Sequence, residues 1–292
     1  MIKFFIFVIL LLILIKIINK KNKLIEKLYN NKKIICIHGN YNHFKSSRLN
    51  LLNNKYNFVF KKLDKNNLDT CEKIILWEPF EKYPLPDYTK NKKKIINKDL
   101  KNISKKYLEK YNKDIFGYNL EINPLIYNKP FVEKNQGNIL SGRETNKHNK
   151  EYIYHNKPIK KINNNKIYQK IINNKENDII YDYRIMVFKR EIYLLIKFSV
   201  DKQFWGRSGD SKNIKIYYKN NLLKEFNEKD IKNIKKFINF INLDYGEIDI
   251  IKDYDTKNIH IIDVNNTPHC SKDYFSHTKI NEINYINQIN KL

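Results

Sequence analysis

Alanine is absent from this chain of 292 residues, and cysteine, glycine and arginine are scarce. The three cysteines, Cys36, Cys71 and Cys270, are too few for a disulfide framework, and none lies in a C-x-x-C pair of the kind that binds zinc. Hydrophobic residues make up 41% of the chain, which is enough for a core and excludes wholesale disorder. The sequence therefore predicts a folded protein held together by packing.

Arginine is also rare: only 5 of the 56 basic residues are Arg, although the net charge is +25. Lys, Asn, Ile and Tyr, which have A/T-rich codons, fill the sequence instead. Nucleic-acid binders cluster Arg and Lys on one face, whereas lysine is spread evenly here. We attribute the charge to an A/T-rich coding sequence and expect no specific nucleic-acid partner. Where Gly, Arg, Trp or Pro does occur, the backbone or the chemistry is expected to require it.

A strongly apolar segment, FFIFVILLLILIKII, fills residues 4–18. With its flanking residues it predicts a single-pass membrane anchor over 1–20; a cleaved signal peptide and a buried core helix are the alternatives. Lysines follow the segment more densely than they precede it, so the positive-inside rule places the rest of the chain on the cytoplasmic side. Three free cysteines would suit a reducing compartment.

Downstream of this segment, the hydrophobic patterns predict two further regions. Residues 31–97 alternate short apolar strands (32–37, 56–60 and 73–77) with a candidate helix over 44–54, which indicates a small α/β domain. Residues 98–292 begin with helical spacing over 98–112 and continue as strands and turns. They include two hairpins (181–200 and 247–264) and an amphipathic helix over 229–241.

The apolar strands of the second hairpin each contain an aspartate. Asp249 lies in one apolar strand, Asp263 lies in the other, and Asn265 points to the same side as Asp263. Pairing of the two strands would bring Asp249 beside Asp263, and such a set of oxygens suits Mg²⁺ with phosphate ligands. The alternative is an exposed strand face on which the acids are incidental.

Basic residues suggest where phosphate would bind. Arg184 and Lys197 lie on the two strands of the first hairpin, and we expect them to face the same side. Upstream, Lys134 precedes a loop that contains Gly137 and Gly142, whose backbone amides could approach phosphates. A plain hairpin turn explains this loop equally well.

Taken in chain order, these segments resemble the ATP-grasp superfamily over about residues 120–275. KPFVEKNQGNILSGRE looks like the family's strand lysine and glycine-rich lid, and YQKII looks like its hinge strand. DYRIMVF and LLIKFSV look like the D-x-R strand and the basic strand that follows it. YGEIDII and IHIIDVNNTP look like the Mg²⁺-binding pair, with Asp263 in place of the usual Glu. Ribosomal-protein glutamate ligases and D-alanine–D-alanine ligases are the most similar types.

The resemblance implies an α/β (α+β) fold in which two α+β subdomains clasp ATP, preceded by the small α/β domain. It implies ATP contacts from Lys134, Gly137, Gly142 and the hinge residues Lys170, Ile171 and Ile172. Catalytic roles would fall to Arg184, Lys197 and Arg207, and Mg²⁺ or Mn²⁺ would be held by Asp249, Asp263 and Asn265.

The activity so implied is an ATP- and Mg²⁺-dependent ligase that joins a carboxylate to an amine through an acyl phosphate. Three alternatives stay open: a kinase of the same fold, a non-enzymatic, membrane-tethered basic binding protein, and a degenerate core with only a structural role. The sequence does not identify the substrates.

Overall fold

The computed structural model describes residues 16, 18–20, 33–39, 58–66, 68–77, 95–136, 152–177, 179–200 and 211–267. The chain divides into two compact units, Met1–Ile95 and Ile96–Leu292. The three-part division predicted from the sequence, at 1–20, 31–97 and 98–292, stays a prediction.

The first unit is built on a four-stranded sheet in the order β2-β1-β3-β4. Its strands are β1 (Lys33–Gly39), β2 (Phe58–Lys62), β3 (Lys73–Trp77) and β4 (Ile95–Ile96). β1 pairs in parallel with both β2 and β3, and β3 is buried along its whole length. This burial explains the unbroken apolar run IILW that follows Lys73. The helix predicted over 44–54 lies outside the described residues.

A disulfide joins Cys36 of β1 to Cys71, 35 residues further along the chain. Cys36 is fully buried and belongs to the core of this unit with Leu63, Ile74 and Leu76. The prediction that all three cysteines are free is therefore wrong.

In the described parts of the chain, no helix has both the length and the apolar character that crossing a membrane requires. This finding overturns the predicted single-pass anchor and the membrane location. Of the predicted anchor, residues 1–15 and 17 lie outside the described residues.

The second unit contains two sheets. The smaller one has the order β6-β5-β7, with β5 (Phe131–Asn135), β6 (Tyr152–His155) and β7 (Lys166–Lys170). The larger one has the order β11-β10-β9-β12-β13, with β8 added on β9. Its strands are β8 (Lys175–Glu176), β9 (Ile179–Phe188), β10 (Glu191–Val200), β11 (Ser211–Tyr218), β12 (Tyr245–Lys252) and β13 (Ile259–Asn265).

Two helices, α1 (Lys105–Phe116) and α2 (Glu228–Ile241), pack on one face of the larger sheet. The buried core there combines alternate strand residues with Leu108, Phe237 and Ile241 of the helices. Asn112 of α1 fixes the helix to the edge strand by donating to the carbonyl of Ile261 (2.8 Å). The side chains that alternate with these core residues along each strand point to the opposite face of the sheet.

Candidate functional site

Three charged residues of the larger sheet lie side by side on the face opposite the helices. Asp249 of β12 pairs with Arg184 of β9 on one side and with Asp263 of β13 on the other. Directly paired residues share a face, and Asn265, two residues after Asp263, lies on the same face. The prediction that the hairpin brings Asp249 beside Asp263 is confirmed.

Arg184 is held by Asp249 through both carboxylate oxygens. Its Nε donates to Oδ1 at 2.7 Å and its Nη2 donates to Oδ2 at 2.9 Å. Both side chains remain partly accessible, at 27% and 29% of their surface. A bidentate guanidinium–carboxylate pair is strong and directional, so it fixes the position of Arg184 on the sheet.

Glu247 is a further acid of this site that the sequence reasoning missed. It lies two residues before Asp249 on the same face, is only 2% exposed, and places Oε2 3.5 Å from Nη1 of Arg184. The residue before it must be glycine, because a Cβ on Gly246 would lie 2.7 Å from the carbonyl oxygen of Asn265. The alternation of YGEIDII, with Glu247 and Asp249 two apart, was the signal that could have revealed it.

Asp263 faces two lysines as well as Asp249. The ammonium group of Lys105 lies 3.8 Å from its Oδ1. That oxygen is enclosed and has no hydrogen-bond partner among the described residues, although 40% of the side chain is exposed. Desolvation raises the pKa of Asp263, with Asp249 adding to the rise, while Lys105, Arg184 and Lys134 oppose it. An enclosed carboxylate oxygen beside a second acid is a position that a cation would stabilise.

Asp182, two residues before Arg184 on β9, completes this acidic face. Desolvation raises its pKa to about 6, and the nearby charge of Asp249 adds to the rise. Arg184 and Lys134 act in the opposite direction. The positive charge of Lys134, on β5 of the smaller sheet, thus acts to lower the pKa of both Asp182 and Asp263.

The oxygen donors of this face fit a divalent cation, but Asp249 is not available to one in the arrangement described. Among the described residues, no group of three or more Asp, Glu, His or Cys side chains is arranged to hold a metal ion. Both oxygens of Asp249 are bonded to Arg184, and the Asn265 Oδ1 accepts from the backbone and hydroxyl of Thr267 at 2.9 and 3.2 Å. The metal-binding role predicted for Asp249, Asp263 and Asn265 therefore stays a prediction.

Lys197 lies on the other face of the sheet. It pairs with Tyr183, whereas Arg184 pairs with Ile196. The expectation that Lys197 and Arg184 face the same side is therefore wrong. Lys197 is 4% exposed and donates to Glu176 (2.7 Å) and Glu225 (3.0 Å). Its predicted catalytic role stays a prediction.

The hinge segment, residues 170–172, begins at Lys170, the last residue of β7. The backbone N–H of Lys170 donates to the carbonyl of Leu120 (2.8 Å), and Ile172 packs with Leu120 and Ile251. Glu109 of α1 steadies the same region by accepting from the backbone of Leu120 (2.7 Å) and from the side chain of Gln169. The segment is thus tied to both α1 and the larger sheet. Gly137, Gly142 and Arg207 lie outside the described residues.

His260 of β13 is a buried histidine of the same unit. It is 2% exposed, and its Nδ1 has no hydrogen-bond partner in the described parts of the chain. The Tyr118 ring packs edge-on against it, with 5.0 Å between the ring centres. Desolvation lowers its pKa to about 4, and the charge of Lys170 contributes to the same shift.

This histidine should make the fold sensitive to acid. The unfolded chain takes up a proton near pH 6.5 that the folded chain resists until about pH 4, so stability is lost as the pH falls between these values. We expect the loss in unfolding free energy from pH 7 to pH 4.5 to be about 2 kcal/mol smaller in His260→Phe than in the unmodified chain. Urea unfolding at the two pH values measures it. Equal losses in both proteins would refute this role of His260.

Comparison with solved structures gives the fold of the chain. It is similar to the ATP-grasp ligase PsnB complexed with minimal precursor, at 9% identity and a TM-score of 0.52, covering 90% of this chain and 100% of that one. PsnB complexed with minimal precursor, Mg and ADP matches at 9% identity and a TM-score of 0.51, over 88% of this chain and 95% of that one. A D-alanine–D-alanine ligase from Bacillus anthracis matches at 12% identity and a TM-score of 0.46, over 89% and 96%.

The sequence itself matches no family model and no curated protein. The chain has the ATP-grasp fold, and the predicted fold class is confirmed.

Proposed function

We propose that this protein is an ATP- and Mg²⁺-dependent ligase that activates a carboxylate as an acyl phosphate. The observation that carries the proposal is the row formed by Arg184, Asp249 and Asp263 on the face of the larger sheet opposite the helices. A guanidinium suited to phosphate lies beside carboxylates suited to Mg²⁺, within a fold that is similar to ATP-grasp ligases, and this supports the proposal.

The residues of the site form two groups, one that would bind the phosphates of ATP and one that would bind the metal ion. Arg184, Lys134 and Lys105 are the cations near the acidic face and would bind phosphate oxygens. Asp249, Asp263 and Asn265 would hold Mg²⁺ or Mn²⁺, which when bound neutralises phosphate charge and acts as a Lewis acid. The hinge segment would present its backbone to adenine.

The chemistry needs no side-chain nucleophile. A carboxylate oxygen of the substrate attacks the γ-phosphorus of ATP, the bond to ADP breaks, and an acyl phosphate forms. An amine then attacks the acyl carbon and phosphate leaves, which forms a C–N bond. The fixed cations stabilise the charge on the transferred phosphoryl group, so catalysis consists mainly of positioning and electrostatics.

We further propose that the carboxylate belongs to an acidic peptide. The PsnB structure holds a minimal precursor, and a chain with a net charge of +25 attracts anionic partners over a distance.

Trapping with hydroxylamine tests this function. The full chain is incubated with ATP, Mg²⁺, hydroxylamine and peptides rich in Glu, with matched Gln peptides as the control. A peptide hydroxamate and one phosphate for each ATP consumed are expected with the Glu peptides alone, because hydroxylamine intercepts an acyl phosphate. A stable phosphopeptide without hydroxamate would instead indicate a kinase, and ATP left unconsumed across a broad panel of carboxylates would favour a binding protein.

A further inference from the structure

The pairing of Arg184 with Asp249 has a consequence for how ligands enter the site. If the proposed function holds, phosphate needs the N–H groups of Arg184 and the cation needs the oxygens of Asp249. The structure instead bonds these groups to each other, at 2.7 and 2.9 Å. Each therefore neutralises the other where no ligand is bound.

We propose that the Arg184–Asp249 pair is a latch that a metal ion and a nucleotide open only together. This inference rests on the proposed function. The phosphates of the nucleotide bond to the guanidinium of Arg184 while the cation binds the carboxylate of Asp249. Each charged group therefore keeps a partner of opposite charge. A nucleotide alone would take the guanidinium and leave the Asp249 carboxylate without a cation, which is costly on a partly buried surface. A metal ion alone would take the carboxylate and leave the guanidinium, among its described contacts, with only its longer contact to Glu247, at 3.5 Å. The two ligands should therefore bind with strong positive coupling.

Glu247 is the positioning residue of this latch. It is 2% exposed and its Oε2 lies 3.5 Å from Nη1, the one guanidinium nitrogen that does not bond Asp249. When Asp249 turns to the cation, Glu247 remains beside the guanidinium and keeps it on the sheet. Among its described contacts, Arg184 thus has one partly exposed acidic partner, Asp249, and one enclosed acidic partner, Glu247.

The test uses ATP binding in EDTA, without any metal, and Asp249→Asn in the full-length chain. The amide keeps the size of the side chain but cannot form the charge pair, so Arg184 becomes available to phosphate. We expect metal-free ATP to bind about tenfold more tightly to Asp249→Asn than to the unmodified chain, a coupling of about 1.4 kcal/mol. Added Mg²⁺ should no longer improve binding to the variant.

Two controls separate the latch from the general effect of removing a negative charge. Asp263→Asn removes the neighbouring carboxylate, which is not bonded to Arg184 in the described contacts, and should give a much smaller gain. In an Arg184→Met background, Asp249→Asn should give no gain. Equal gains in Asp249→Asn and Asp263→Asn, or a gain that persists without Arg184, would overturn the latch.

The unmodified chain distinguishes the failure of the latch from that of the proposed function. If it binds Mg²⁺–ATP but Asp249→Asn gains nothing in EDTA, the latch alone is wrong. If it binds no ATP even with Mg²⁺, the proposed function fails and the latch with it. Circular dichroism checks folding, and Asp249→Ser replaces Asp249→Asn if the latter does not fold.

Discussion

Asp263→Asn should lower ATP turnover at least about 100-fold while leaving the fold intact. The amide keeps the size of the side chain and one oxygen but removes the negative charge beside Asp249. A cation bound there would lose several kcal/mol of its effect on the phosphoryl group, and about 1.4 kcal/mol corresponds to each tenfold in rate. Folding should tolerate the change, because two adjacent strand carboxylates repel each other when no cation is present.

The measurement is ATP consumption, with circular dichroism as the control for folding. Asp114→Asn is the matched control, because Asp114 is an exposed acid of α1. It should leave turnover unchanged. Near-normal turnover in Asp263→Asn, or an equal loss in both variants, would contradict a metal site centred on Asp249 and Asp263.

Lys197→Met should destabilise the fold by about 3–5 kcal/mol, the usual cost of removing one partner from a buried ion pair. Lys197 is 4% exposed, and its ammonium lies 4.3 Å from the centre of the Tyr181 ring. Burial alone would lower its pKa, but the bonds to Glu176 and Glu225 outweigh that effect and raise it. Met would leave the Glu225 carboxylate, which is only 11% exposed, without its cation.

Urea unfolding of Lys197→Met measures this cost. Lys215→Met is the matched control, because Lys215 is the exposed neighbour of Lys197 on β11 and should change stability by less than about 0.5 kcal/mol. The structural role would be wrong if Lys197→Met were as stable as the unmodified chain. A stable variant that had also lost turnover would support the catalytic role predicted from the sequence.

The misplacement of Lys197 in the sequence reasoning has one physical cause. The turn at Lys189 and Arg190, both with positive φ, pairs Phe188 with Glu191. Simple counting from this pair sets Lys197 opposite Asp182, on the face of Arg184. A β-bulge between Ile192 and Leu194 shifts the register by one residue, and such a shift moves every later side chain to the other face. No local sequence pattern predicts the bulge between Ile192 and Leu194.

The neighbouring positions of Asp249 and Asp263 were predictable from the two apolar strands that carry them, but their exact register was not. Simple counting from the pair of Lys252 and Ile259 next to the turn would set Asp249 opposite Ile262. The bulge between Asp249 and Ile250 shifts the register by one residue and pairs Asp249 with Asp263. Contacts between distant elements were not predictable: Lys105 of α1 reaches Asp263, and Glu109 reaches Gln169, only through the fold.

The scarcity of arginine and glycine indicated which positions are important, but it did not show whether a residue has a chemical or a structural role. Arg184 lies in the candidate site, whereas Arg190 stabilises its turn by donating to Asp244 (2.8 Å) and Asn242 (2.9 Å). Gly246 is required for packing against Asn265. Only the three-dimensional contacts distinguish the role of Arg184 from those of Arg190 and Gly246.

Calorimetric titration of the unmodified chain with ATP, once with Mg²⁺ and once with EDTA, tests the central claim most directly. The claim is that a cation and a nucleotide share the face that carries Arg184, Asp249 and Asp263. The account predicts clear binding with Mg²⁺ or Mn²⁺ and binding at least about tenfold weaker in EDTA. Tight ATP binding that EDTA leaves unchanged would contradict it.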